Sequence, residues 1–151
     1  MDIEKLLKSL NENNVRYLII GATAFPVHGY SRATLDIDIF IDPSLDNAKK
    51  VHKALSEFGY DVSDVSIDDL IKNKILIRQY LIETDVHPFV AGINFEEAWR
   101  GRIESEIGNT KVFFAGLDDL IKMKKAAGRP KDNEDLKFLE EIKNRQIKEG
   151  K

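Results

Sequence analysis

Cysteine is absent from the 151 residues, and histidine occurs only at positions 28, 52 and 87. Disulfide scaffolds, thiolate zinc sites and cysteine nucleophiles are therefore excluded, and a metal site here has to draw mainly on carboxylates. No apolar run approaches the ~18 residues of a membrane-spanning helix, and the opening MDIEKLLKSL has the pattern of an amphipathic helix rather than a signal peptide. A cytoplasmic protein is the expectation. Positive charge is not in excess either: 23 Lys and Arg stand against 26 Asp and Glu, a formal charge of −3, which argues against a surface built for tight duplex binding. Repeats, low-complexity stretches and linker-like segments are missing. What is present is an apolar share of 42%, enough for one domain that buries roughly 70% of its unfolded surface.

Hydrophobic spacing places the elements. Ile3, Leu6, Leu7 and Leu10 share one face of a helix over 2–12, which Asn11 to Asn14 end. Val15 to Ile20 is β-branched and apolar and stops at Gly21, and a short helix over 22–28 follows with Pro26 tolerated near its start. In Leu35 to Asp42, Ile37, Ile39 and Ile41 fall on one face of a strand while Asp36, Asp38 and Asp42 fall on the other. A helix spans about 45–58 and closes at Gly59, and Asp61 to Asn73 reads as a turn and a short helix. Lys74 to Val86 carries one or two strands ending at His87-Pro88, a short helix covers 95–99, and Thr110 to Phe114 is a strand. Two helices, 117–127 and 132–148, flank Gly128-Arg129-Pro130-Lys131. The whole predicts one α/β or α+β domain, a sheet core over 1–115 followed by a helical segment over 116–151.

The acidic strand carries the chemistry. Asp36 and Asp38 project from the same side with Cα atoms roughly 7 Å apart, so their carboxylates can converge on one site. Two unpaired like charges repel and resist desolvation; Mg²⁺ offsets both costs and prefers oxygen ligands. The alternative is an edge strand with a solvated acidic face. Upstream, the strand ending at Gly21 feeds a short helix and so presents backbone N–H groups suited to phosphate, with Thr23 as a further donor. The alternative there is a glycine that merely serves a tight turn. Both features sit at one end of adjacent strands, which is what nucleotidyl or phosphoryl transfer needs.

Gly21-Ala22 followed by His28-Gly29-Tyr30-Ser31-Arg32-Ala33-Thr34-Leu35-Asp36-Ile37-Asp38 resembles the nucleotidyltransferase superfamily with the DNA polymerase β type fold. More narrowly it is similar to the bacterial branch of abortive-infection and toxin nucleotidyltransferases. Asp119-Leu120-Ile121, Lys124 and Ala127-Gly128-Arg129-Pro130-Lys131-Asp132 with Asp135-Leu136 resemble the helical motif that follows the sheet in that branch. The resemblance implies a mixed β-sheet flanked by helices and a two-metal Mg²⁺ site formed by Asp36, Asp38 and a third carboxylate on a later strand. Asp85 is the candidate, although Glu83 and His87 share its face in a regular strand. In the implied mechanism Asp36 and Asp38 hold the metal bound to the triphosphate, while Asp85 helps bind the second metal and activates an acceptor hydroxyl. Gly21, Ala22 and Thr23 contact the β and γ phosphates. Arg32, beside Thr34, neutralises phosphate charge or forms a structural salt bridge, and some of Lys124, Arg129 and Lys131 reach the triphosphate. One departure is Gly21-Ala22 where the family usually carries Gly-Gly or Gly-Ser, which weakens the phosphate contact or moves it to Thr23.

The leading expectation is thus an NTP-dependent nucleotidyltransferase acting on a hydroxyl of tRNA, a small molecule or a protein. The alternative is a nucleotide-binding or antitoxin-like module that has lost turnover and acts through a protein partner; a homodimer would complete an open acceptor pocket. A third reading, a carboxylate-metal phosphoesterase, lacks the histidine clusters many such sites use. Asp132 and Asp135 read as helix-capping residues. Residues 122–151 carry ten Lys or Arg against six acids, which suits an RNA or triphosphate as well as the solvated face of a helix. His28, His52 and Trp99 read as packing or capping residues, Trp99 with stacking on a base as its alternative.

Overall fold

The computed structural model describes residues 2–21, 36–80 and 82–148, without the side chain of Lys131. Its elements in chain order are α1 (Ile3–Glu12), β1 (Tyr17–Ile20), β2 (Asp36–Ile41), α2 (Leu45–Phe58), α3 (Ile67–Lys72), β3 (Ile75–Ile77), β4 (Glu83–His87), α4 (Phe95–Arg100), β5 (Ile103–Ile107), β6 (Thr110–Phe114), α5 (Leu117–Ala127), a 3₁₀ turn (Pro130–Asp132) and α6 (Asn133–Lys148). The mixed α/β expectation holds. Asp2 starts α1 by accepting from Lys5 N, Ser44 starts α2 by accepting from Asn47 N, and Ser66 with Asp69 forms a reciprocal capping box on α3. The helix predicted over 22–28 lies outside the described residues. Among the described residues, no helix is long and apolar enough to cross a membrane.

The six strands form one mixed sheet in the order β3-β4-β2-β1-β6-β5. β2 runs parallel to β4 and β1 parallel to β6, while the other neighbours are antiparallel. The sequence segment 74–86 thus resolves into two strands, β3 and the greater part of β4. β5 is an addition to the expected elements. It is an edge strand with charged Glu104 and Glu106, and it reaches β6 through the two-residue turn Gly108-Asn109, where φ of +60° at Gly108 suits the first central position of a hairpin turn.

Strand parity separates the two faces of the sheet. Ile19, Ile39 and Val86 stand in register across β1, β2 and β4 and are fully buried. α1 and α2 contribute Leu6, Leu7, Leu10, Ala48, Val51, Ala54 and Leu55 to the same core, joined by the Ser9 hydroxyl donating to the Ala54 carbonyl at 2.7 Å. On the opposite face β2 presents exposed Asp36, half-buried Asp38 and buried Phe40 in turn. Phe40 meets Phe95 of α4 edge to face at a centroid distance of 5.2 Å, a contact type worth about 0.5–1.5 kcal/mol beyond area burial. One end of that face is therefore sealed by aromatic packing, and the other carries carboxylates.

Candidate active site

Parallel pairing of β2 with β4 sets Asp36 opposite Glu83, Asp38 opposite Asp85 and Phe40 opposite His87. Because side chains alternate along a strand, all the acids in these pairs fall on one face together with His87. The register sets Asp38 beside Asp85, the third carboxylate that the resemblance implied, while Asp36 stands one pair away opposite Glu83. His87 Nε2 lies 2.9 Å from Asp38 Oδ1, and both side chains are partly buried. Single ligand atoms of Asp38, Asp85 and His87 lie within 4.8 Å of one another, so these three residues could hold a metal ion.

Gly21 closes β1 beside this group. Its φ is +71°, and a Cβ built there would stand 2.7 Å from Asp38 Oδ2. A side chain at position 21 would therefore meet both backbone strain and the Asp38 carboxylate. Two carboxylates, an imidazole and a space that only glycine leaves beside one of the oxygens make a donor set suited to a divalent cation.

Cations from the β3 edge complete the electrostatics. Arg78 Nη1 donates to Asp85 Oδ1 at 2.6 Å and Arg78 Nε lies 3.3 Å from Glu83 Oε2, while Lys74 Nζ is 3.9 Å from Asp85 Oδ2. The hydrogen bond to Asp85, with the nearby acids, raises the Arg78 guanidinium above its ordinary value. Glu83 shares a hydrogen bond with Asp36, and that contact, with some desolvation, raises the Glu83 carboxyl above the usual carboxylate range. Arg78 and Lys74 were not singled out from sequence. The available signal was parity, since Lys74, Leu76 and Arg78 alternate with the buried-side residues of a strand whose register sets Leu76 opposite Asp85.

The remaining site candidates fall into two groups. Ala22, Thr23, Arg32 and Thr34, with His28, lie outside the described residues. Lys124 and Arg129 are engaged near the C-terminus: Lys124 Nζ donates to Asp132 Oδ1 at 3.0 Å and stands 3.7 Å from Asp135 Oδ2, and Arg129 donates to Asp132 through Nε at 2.6 Å and Nη2 at 3.2 Å. Lys131 lies in the 3₁₀ turn. Asp132 and Asp135, expected as helix-capping residues, instead face Lys124, and Asp132 also Arg129, because the 3₁₀ turn moves the start of α6 to Asn133. Burial pushes the Asp132 carboxyl up, and the hydrogen bonds and charges of Arg129 and Lys124 more than reverse this, leaving it below the ordinary range.

The packing readings hold for His52 and Trp99. His52 Nε2 lies 2.9 Å from the Val65 carbonyl, and the Trp99 ring stacks on Phe95 with the Arg102 guanidinium 4.1 Å from its centroid.

No curated protein matches the chain in sequence. A family profile described as "Nucleotidyltransferase of unknown function (DUF6036)" matches residues 1–146. With the acidic parallel pair and the glycine-terminated strand both inside the matched region, the chain belongs to this nucleotidyltransferase family.

Proposed function

We propose that the chain transfers a nucleoside monophosphate from an NTP to a hydroxyl acceptor, with a divalent cation, Mg²⁺ in the family resemblance, held between β2 and β4. The acceptor oxygen forms a bond to the α-phosphorus, the bond from that phosphorus to the bridging oxygen breaks, and pyrophosphate leaves with its electron pair. Asp36, Asp38 and Asp85 are the metal-binding carboxylates in this reading, and Asp85 takes the acceptor proton. A divalent cation bound there neutralises the triphosphate and stabilises charge developing on the leaving oxygens. Gly21 leaves room for the Asp38 carboxylate, and the following residues, Ala22, Thr23, Arg32 and Thr34, are assigned to the triphosphate. Of the C-terminal cations, Arg129 and Lys131 are assigned to the same ligand, while Lys124 is held by Asp132 and Asp135. Arg129, 52% exposed, has more donors than Asp132 takes.

The observation that carries this reading is the register pair of Asp38 and Asp85 beside Gly21. Transfer of label from α-³²P NTP, but not γ-³²P NTP, to RNA, protein or small hydroxylated compounds tests it. Asp38→Asn is expected to lower that transfer by about 100-fold or more. Labelling that is unchanged in the variant contradicts the assignment.

A second reading, a module that binds nucleotide without turning it over and acts through a protein partner, draws on one specific contact. Arg78 sits 2.6 Å from Asp85 Oδ1, where the proposed base would receive a proton. Tight NTP binding with no α-label transfer to any acceptor favours this reading.

A further inference from the structure

We infer that His87 Nε2 is a direct ligand of the divalent cation, with Asp38 and Asp85, and that the site therefore prefers Mn²⁺ or another first-row transition cation to Mg²⁺. The inference rests on the proposal that the acidic face holds a metal. Around an ion with bonds of about 2.1 Å, neighbouring ligand atoms stand about 3 Å apart and opposite ones about 4.2 Å apart. Nε2 is already 2.9 Å from Asp38 Oδ1, the spacing of two adjacent ligands, and the Asp85 oxygen completes a group within 4.8 Å.

The expected all-carboxylate set is arranged differently. Asp36 shares a hydrogen bond with Glu83, its register partner, and Arg78 already carries charge to Asp85. The group drawn together around Asp38 thus contains an imidazole where a three-carboxylate site has a third oxygen. Mg²⁺ favours oxygen ligands and retains its waters, whereas an imidazole ligand favours first-row transition cations, an advantage that is smallest for Mn²⁺ and grows along the series to Cu²⁺. Ligation at Nε2 uses the tautomer with the proton on Nδ1, so metal binding exchanges the Nε2–H to Asp38 hydrogen bond for two bonds to one ion.

Mn²⁺ binding to the full chain, followed by electron paramagnetic resonance with Mg²⁺ as competitor, tests both layers. In the native protein, Mn²⁺ is expected to bind more tightly than Mg²⁺ and to show ¹⁴N modulation in the pulsed experiment. His87→Gln keeps an N–H able to donate to Asp38 but removes the imidazole. Even outer-shell partners are worth roughly 10- to 100-fold in metal affinity, so its Mn²⁺ affinity should fall by about tenfold or more and its Mg²⁺ affinity by less, with loss of the ¹⁴N signal. His52→Gln is expected to leave both unchanged. Mn²⁺ binding that depends on Asp38 but shows no ¹⁴N modulation, or modulation that persists in His87→Gln, overturns His87 ligation and leaves the acidic metal site standing. Binding in native protein no tighter than in Asp38→Asn removes the metal site itself and this inference with it. If circular dichroism shows His87→Gln unfolded, His87→Asn takes its place with the same two outcomes.

Discussion

The acidic face of β2 and β4 and the C-terminal cluster around Asp132 both bring carboxylates against cations, yet they solve opposite problems. At the C-terminus, Lys124 and Arg129 face Asp132 and Asp135, two charges against two, and the Asp132 and Asp135 side chains are each only 6% exposed. On the sheet, four carboxylates face Arg78 and Lys74, and Asp36 is exposed. A matched cluster whose carboxylates and lysine are largely buried resists loss of a partner, because the buried charge left behind has little water to replace it. An open cluster with surplus negative charge gains most from a cation that is not part of the chain.

Mutation should separate the two regions. Asp132→Ala leaves the largely buried Lys124 with Asp135 at 3.7 Å, and a denaturant titration is expected to show a loss of about 2–3 kcal/mol, below that of a fully buried pair because the exposed Arg129 keeps its water. Gly21→Ala introduces a Cβ at φ +71° and 2.7 Å from Asp38 Oδ2, with an expected cost of about 1–2 kcal/mol and weaker divalent-metal binding in the same preparation. Asp38→Asn removes one charge from a crowded, half-open face. Its stability is expected to stay within about 1 kcal/mol of native while metal binding is lost. Equal stability losses in Asp132→Ala and Asp38→Asn would erase the distinction.

The smallest effect concerns pH, and the two regions differ in sign. The folded-state pKa of Asp132 lies below its ordinary 3.8, so its contribution is present above that value and is lost as pH falls through the folded-state pKa. Glu83 lies above its ordinary 4.5, so its contribution is present below that value and is lost as pH rises through the folded-state pKa. Thermal melts from pH 2 to 7 should therefore show a shallower acid limb in Asp132→Asn. Glu83→Gln should be relatively more stable on the neutral side.

Local pattern made the sheet legible where a strand has one buried face. β2 announced itself through isoleucines alternating with aspartates, and α2 through its apolar spacing between Ser44 and Gly59. β5 lacks that signal because it is an edge strand with little to bury; Gly108-Asn109 was the hint, a hairpin dipeptide just before the recognised β6. Asp36 and Asp38 were legible by type and spacing and Asp85 through the family resemblance, but register was not. That Asp38 stands opposite Asp85, that Asp36 meets Glu83 and that Arg78 reaches Asp85 are consequences of how β2, β3 and β4 pair, which no local window encodes. Likewise, the C-terminal motif suggested a cap, and only burial and the 3₁₀ turn revealed an ion-pair cluster.

Calorimetric titration of NTP into the native chain and into the Asp36→Asn, Asp38→Asn double variant, each with and without Mg²⁺ or Mn²⁺, tests the central claim most directly. The account predicts metal-dependent NTP binding by the native chain that the folded double variant loses. Binding that is independent of metal, or equal in the two proteins, would contradict the placement of a metal-bound triphosphate on the acidic face.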